Sequence, residues 1–178
     1  MVKQTLQIRR AVTGDAKIIS ELSSITFSDT FQGTCTEDDM QDFIDKYYSE
    51  ALVTEELQDS NDFYFIAFID DEAAGYMRIK EDESSIPEVK NHKSIELKRI
   101  YVLKEYHSKK VGAGLMQFAL QFAADKGYEL IWLGVWEHNE RAINFYKKFG
   151  FTDTGFKHPF PIGNTPQTDN WLIKFIEK

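Results

Sequence analysis

The 178-residue chain has a single cysteine, Cys35. One thiol excludes an internal disulfide and a cysteine-rich metal site, and it suits the reducing conditions of a cytoplasm. The N-terminus lacks the charged, apolar and small-residue order of a signal peptide. No apolar run approaches the ~18 residues that a membrane span needs. His92, His138 and His158 have no partner visible in the sequence and no metal-ligand spacing, so they read as surface or loop histidines and no metal is expected. A basic surplus is missing as well. Twenty-one Lys and Arg against 29 Asp and Glu give a net charge of −8. That balance argues against general nucleic-acid binding and is compatible with a cationic partner, although acidity for solubility alone explains it equally well. No repeat or linker composition divides the chain. One domain spanning residues 1–178, large enough to bury a real core, is expected.

What is present is the material of a globular protein, 42% hydrophobic and 28% charged, with fourteen Phe, eight Tyr and three Trp. Gln4–Arg9 alternates with Leu6 and Ile8 inward, which predicts an edge strand. Thr13 is placed to cap a helix whose apolar face is Ile18, Ile19, Leu22 and Ile25. Thr36 and Asp39 resemble a capping box ahead of Met40, Phe43, Ile44 and Tyr47, and Thr54 is placed to cap a third, short helix. Phe63–Ile69 and Ala73–Lys80 predict a hairpin about Asp70-Asp71-Glu72. Glu81–Lys93, polar and acidic around Pro87, reads as a solvent loop. Ile95–Leu103 is a strand with Glu96, Lys98, Ile100 and Val102 on one side and Ile95, Leu97, Arg99 and Tyr101 on the other.

Val111, Leu115, Phe118, Ala119 and Phe122 follow helical spacing, and Gly127 ends that helix. Leu130–Val135 has the continuous apolar pattern of a strand covered on both faces. Asn139 caps a further helix that ends at Gly150, and Phe151–Phe160 and Trp171–Ile176 are two more strands. This order gives an α/β class fold, a mixed sheet with helices on both faces.

Two stretches carry chemistry. Glu96 to Gly114 reads as a strand entering a turn, His107-Ser108-Lys109-Lys110-Val111-Gly112, whose amides open at a helix N-terminus. Free N–H groups and the positive end of the helix dipole favour an anion there. Lys104, Lys109 and Lys110 add a local basic patch, which an ordinary solvated surface explains as well. In the last helix, Asn139, Ala142, Ile143 and Tyr146 share a side, so an amide and a phenol project in line. By itself Tyr146 reads equally as a core tyrosine beside Phe145 and Phe149.

The run Glu96–Gly112, the motif N-x-x-A-I-x-F-Y at Asn139–Tyr146 and K-K-F-G-F at Lys147–Phe151 together resemble the GNAT family of acetyl-CoA-dependent N-acetyltransferases. Trp132–Glu137, Phe27–Phe31 and Gln167-Thr168-Asp169 resemble its PaiA branch of spermidine/spermine N-acetyltransferases. The resemblance implies a mostly antiparallel sheet of about seven strands, splayed in the middle. It implies acetyl-CoA as co-substrate and transfer to a primary amine by direct attack in a ternary complex. The amine is then a polyamine such as spermidine or spermine, with another small amine or a protein N-terminus as the alternative. A CoA-binding regulatory module without turnover, or a homodimer-forming interaction protein, is the reading from a different class.

In the family, pyrophosphate lies on a Q/R-x-x-G-x-G/A turn. Here His107 stands for Gln or Arg and Lys110 for the first Gly, with Gly112 retained and Ala113 following. By resemblance the pantetheine arm pairs with backbone at Ile100, Tyr101 and Val102, Asn139 contacts that arm, and Lys148 serves the nucleotide end. An alkylammonium of pKa ~10.4 must lose a proton before it attacks, and the departing thiolate gains from a donor. The resemblance makes Tyr146 that donor and Glu96 the base; a structural acid paired with Lys98 or Arg99 is the even alternative for Glu96. Val102 N–H is placed to stabilise the oxyanion. Asp29, Trp136 and Asp169 are the acceptor-binding residues that the PaiA resemblance implies.

Overall fold

A computed structural model describes residues 5–82, 84 and 86–177. Seven strands form one sheet: β1 (Leu6–Arg10), β2 (Asp62–Ile69), β3 (Glu72–Lys80), β4 (Ser94–Val102), β5 (Leu130–Trp136), β6 (Thr152–Pro159) and β7 (Thr168–Phe175). Their order across the sheet is β1-β2-β3-β4-β5-β7-β6, and every neighbouring pair is antiparallel except β4 and β5. The helices are α1 (Ala16–Phe31), α2 (Glu37–Tyr48), α3 (Glu50–Gln58), α4 (Pro87–Lys90), α5 (Val111–Asp125) and α6 (Glu140–Lys148). Among the described residues no helix is long and apolar enough to cross a membrane. The mixed sheet with helices on both faces is the expected architecture. Gln4, the expected start of β1, lies outside the described residues.

Each face of the sheet buries one helix layer. Val111, Leu115, Met116 and Ala119 of α5 are 0% exposed and pack with Phe65, Met77, Ile79, Ile95 and Leu133. Burying such side chains contributes about 1.5–3 kcal/mol each for the larger ones, so this stripe is the main anchor of the fold. Ile19, Leu22 and Val53 of α1 and α3 cover Tyr64, Ile66 and Tyr76 on the opposite face. α5 lies close to the sheet because Gly114 lacks a side chain: a Cβ there would stand 2.4 Å from Leu6 Cδ2 of β1. Asp70 and Asp71, at φ 50° and 72°, make the β2–β3 turn by themselves, and Glu72 already belongs to β3.

Several local expectations are corrected. Thr13 does not cap α1; it opens a single 3₁₀ turn, and Asp15 instead accepts the Val12 N–H at 2.8 Å while holding Arg9. Ile25 is 50% exposed, because the buried side of α1 turns through Ser23, Thr26 and Phe27. Thr36 does cap α2 through the Asp39 N–H, but Tyr47 faces solvent and Tyr48 is the buried neighbour. Ser49, not Thr54, caps α3: its Oγ accepts from Leu52 N–H, whereas Thr54 sits inside the helix and donates to Glu50 O. The polar 81–93 segment is no plain solvent loop. Its two apolar residues, Ile86 and Val89, are buried against Leu130, Trp132 and Ile173, which folds Pro87–Lys90 into a helical turn.

The correction that matters most concerns β4. Arg78 pairs with Arg99, but Ile79 pairs with Leu97, so Lys98 is an extra residue bulged out of the ladder. The bulge re-phases the alternation. Ile100 and Val102 join Ile95 and Leu97 under α5, while Arg99 and Tyr101 turn to the α1 face.

Candidate active site

The β4–β5 ladder has three residue pairs, Ser94–Leu130, Ile95–Ile131 and Glu96–Trp132. Beyond Glu96 the two strands separate, although β4 continues to Val102 and β5 to Trp136. Parallel strands that splay leave unpaired backbone groups on their facing edges. Leu103 N–H is given to Ala74 O on the β3 side, so by strand alternation the Val102 N–H and C=O point into the fork. A cleft of about 1090 Å³ fills the fork.

The cleft gathers residues from most of the elements around it. Glu96, Ile100, Tyr101 and Val102 line it from β4, and His107, Lys110, Gly112 and Ala113 from the turn into α5. Trp136 stands on β5, Asn139 and Tyr146 at the cap and last turn of α6, Asp169 on β7 and Asp29 on α1. Ser108, Lys109 and Lys148 do not line it; all three are exposed, and the Lys109 ammonium lies over the Tyr106 ring at 5.1 Å. The Val111 side chain is 0% exposed in the main core, so only its backbone is left to face a ligand.

Lys110 takes the conformation that glycine would, φ 60° and ψ 16°, immediately before α5. The turn keeps its shape at the cost of a left-handed lysine, about 1 kcal/mol. Lys110→Gly is therefore expected to leave coenzyme A affinity within a few-fold of the parent and to raise stability by up to about 1 kcal/mol, read from urea midpoints.

Electrostatics differ sharply among the acids. Glu96 is 5% exposed and pushed above the usual carboxylate range by burial, an effect that its 2.8 Å ion pair with Lys98 only partly offsets. Asp169 is pushed up to about 7, first by burial and then by the charge of Glu96. Among the described residues its carboxylate has no hydrogen bond or ion pair. Asp29, by contrast, pairs with Lys104 at 2.7 Å near the surface. The Tyr146 phenol is raised by burial and by Asp169, so it stays protonated at neutral pH. Asn139 Oδ1 caps α6 through the Ala142 N–H at 3.1 Å, leaving its amide NH₂ for the cleft. The Trp136 ring packs 4.9 Å from Phe31, and its indole nitrogen is buried without a partner among the described residues.

The model of the acetyltransferase (GNAT) family matches residues 25–151, from within α1 to just past α6. The chain belongs to this family. It is an acetyl-CoA-dependent N-acetyltransferase. An N-acetyltransferase of uncharacterised activity from Lactobacillus delbrueckii subsp. lactis is 35% identical over 155 residues, covering 87% of this chain and 88% of the relative. The spermidine N(1)-acetyltransferase of Thermoplasma acidophilum is 28% identical over 151 residues, covering 83% and 88%. In fold, the PaiA N-acetyltransferase of Thermoplasma acidophilum, solved with coenzyme A, superposes with a TM-score of 0.78 at 23% identity over 96% of this chain and 99% of that one.

Two features of this GNAT site escape sequence reasoning. Arg141 Nη1 donates to His107 Nδ1 at 2.6 Å, which leaves His107 Nε2–H to donate to Val102 O at 2.8 Å. A guanidinium from α6 thus crosses to the phosphate turn, a contact between residues far apart in the chain that no periodicity marks. Arg99 also lines the cleft, with one hydrogen bond, to Tyr64 Oη at 3.1 Å, and with the Tyr48 ring 4.5 Å away. It turns to the α1 face of the cleft only because of the Lys98 bulge.

Proposed function

We propose that the chain transfers the acetyl group of acetyl-CoA to a primary amine by direct attack in a ternary complex, and that the amine is a polyamine such as spermidine or spermine. The observation that carries the transfer reading is the fork, which has an open strand edge on one side and a phenol with two raised carboxyls around its mouth. The pantetheine arm pairs along β4 beyond Glu96 as an added strand, with the Asn139 amide beside it. The diphosphate lies on the amides that open α5 at Val111–Gly112, where Lys110 and Arg141 supply positive charge. Gly112 suits that approach, since even an added Cβ would stay 3.7 Å from Val102 and 3.8 Å from Phe145. Val102 N–H stabilises the oxyanion, the Tyr146 phenol protonates the departing thiolate, and a carboxyl of the Glu96–Asp169 pair takes the ammonium proton.

The polyamine part draws on the net charge of −8, on Asp29, Glu96 and Asp169 with Trp136 around the acceptor end, and on the similarity to the spermidine N(1)-acetyltransferase of Thermoplasma acidophilum. A second reading, an acceptor that also carries an acid group, is favoured by the Arg99 guanidinium, whose only hydrogen bond among the described residues is to Tyr64. Free-thiol release from acetyl-CoA, measured with polyamines, amino acids and N-terminal peptides, tests both. A preference for spermidine or spermine is expected. Equal or better rates with carboxylate-bearing amines would displace the polyamine, and coenzyme A binding without thiol release on any amine would leave a regulatory module.

A further inference from the structure

We infer that Asp169, rather than Glu96, is the base that takes the acceptor's proton. The inference rests on the acetyl-transfer reading and assigns the proton path within it. The two carboxyls differ in what surrounds them. Glu96 is held by Lys98 at 2.8 Å, and Lys98 reaches Asp82 at 3.4 Å as well. The Lys98 ammonium beside the Glu96 carboxylate repels an incoming ammonium from it. Asp169 lines the cleft with neither a hydrogen bond nor an ion pair among the described residues.

Its position is built into β5. Asp169 pairs in register with Trp136, and its carboxylate lies across Gly134, where a Cβ would stand 2.9 Å from Oδ2 and 3.1 Å from the Trp171 ring. The missing side chain in W-L-G-V-W therefore lets the carboxylate lean over β5 toward the fork. Tyr146 of α6 and Glu96 of β4 line the same cleft. His158 is the register partner of Asp169 on β6, and Lys98 pairs with Glu96 at 2.8 Å.

The step balances without a further reactant. Asp169 carboxylate accepts one proton from the ammonium, and the freed lone pair forms the C–N bond. As the C–S bond breaks, its electron pair goes to sulfur, which takes the phenolic proton of Tyr146. Protonated Asp169 then gives its proton to solvent, the tyrosinate regains one from solvent, and the second nitrogen proton leaves to solvent. One acetyl group is transferred and one net proton is released per turnover from an ammonium substrate, and both side chains are reset.

The test is the pH dependence of kcat/KM for the intact enzyme and three variants. The parent should lose activity on the acid side of neutrality as Asp169 protonates. Asp169→Asn should fall by about 10²- to 10⁴-fold and lose that acid limb, while coenzyme A affinity and melting temperature stay near the parent values. Asp169→Glu should recover part of the rate. Glu96→Gln should move the limb to lower pH, because it removes the negative charge that opposes ionisation of Asp169. A retained limb in Asp169→Asn, or its disappearance in Glu96→Gln, would overturn the assignment. Absence of thiol release by the parent on every amine would overturn the transfer reading itself.

Discussion

Tyr146→Phe is expected to lower kcat by about 10²- to 10⁴-fold, with KM for acetyl-CoA nearly unchanged. A coenzyme A thiolate resembles a cysteine thiolate, with a conjugate-acid pKa of roughly 8.5, so it departs poorly at neutral pH unless a proton arrives with it. The Tyr146 phenol is raised by burial, with Asp169 opposing its ionisation further, and it therefore carries its proton throughout the working range. Phenylalanine keeps the packing against Phe145 and Phe151, whose ring centroids lie 5.5 and 5.8 Å away. No hydrogen bond is lost to the described residues, and the melting temperature should hardly move. Steady-state kinetics beside a thermal melt separate the roles: an unaltered rate would reduce Tyr146 to the core residue that the sequence equally allowed.

Arg78→Met is expected to destabilise the fold by about 3–5 kcal/mol. Arg78 is 7% exposed in its side chain and holds Asp62, itself 1% exposed, at 2.5 Å, together with Glu56 at 2.7 Å. Methionine fills much of the volume but leaves the buried Asp62 carboxylate and the half-buried Glu56 carboxylate without their nearest cation. Lys80 is 4.0 Å from Asp62 and Arg99 is 3.8 Å from Glu56, too far to replace two charge-assisted hydrogen bonds. Urea unfolding reads the loss directly. Asp62→Asn in the Arg78→Met background should recover part of it; a loss under 1 kcal/mol for Arg78→Met would mean that the network contributes little.

The elements with strong periods were legible in the sequence. The α5 stripe, the apolar run of β5 and the Asn139 cap each follow from local chemistry, and together they imply the layered sheet. The β4 face assignment was not legible, because two-fold alternation runs unbroken through Lys98 on paper. Only pairing with β3 ejects one residue and sends Arg99 and Tyr101 to the α1 face. Ile86 and Val89 were masked by their acidic neighbours, since two apolar residues carry no period. At the site, the residues gathered on the strength of the family resemblance largely line one cleft, but their division of labour depends on partners that the sequence does not name. Lys98 engages Glu96, Lys104 engages Asp29, and Asp169 is left facing the cleft.

The first residue of α5 is wholly enclosed, and its second turn rests on Leu6 at the margin of the sheet. The amides that open α5 are consequently anchored to the core. Docking of the donor and endurance against heat become two readings of one quantity: saturating coenzyme A at a hundred times its Kd would add about 2.7 kcal/mol of resistance to unfolding. Loosening the N-terminal edge would be felt, by the same reciprocity, as a weaker grip on the donor.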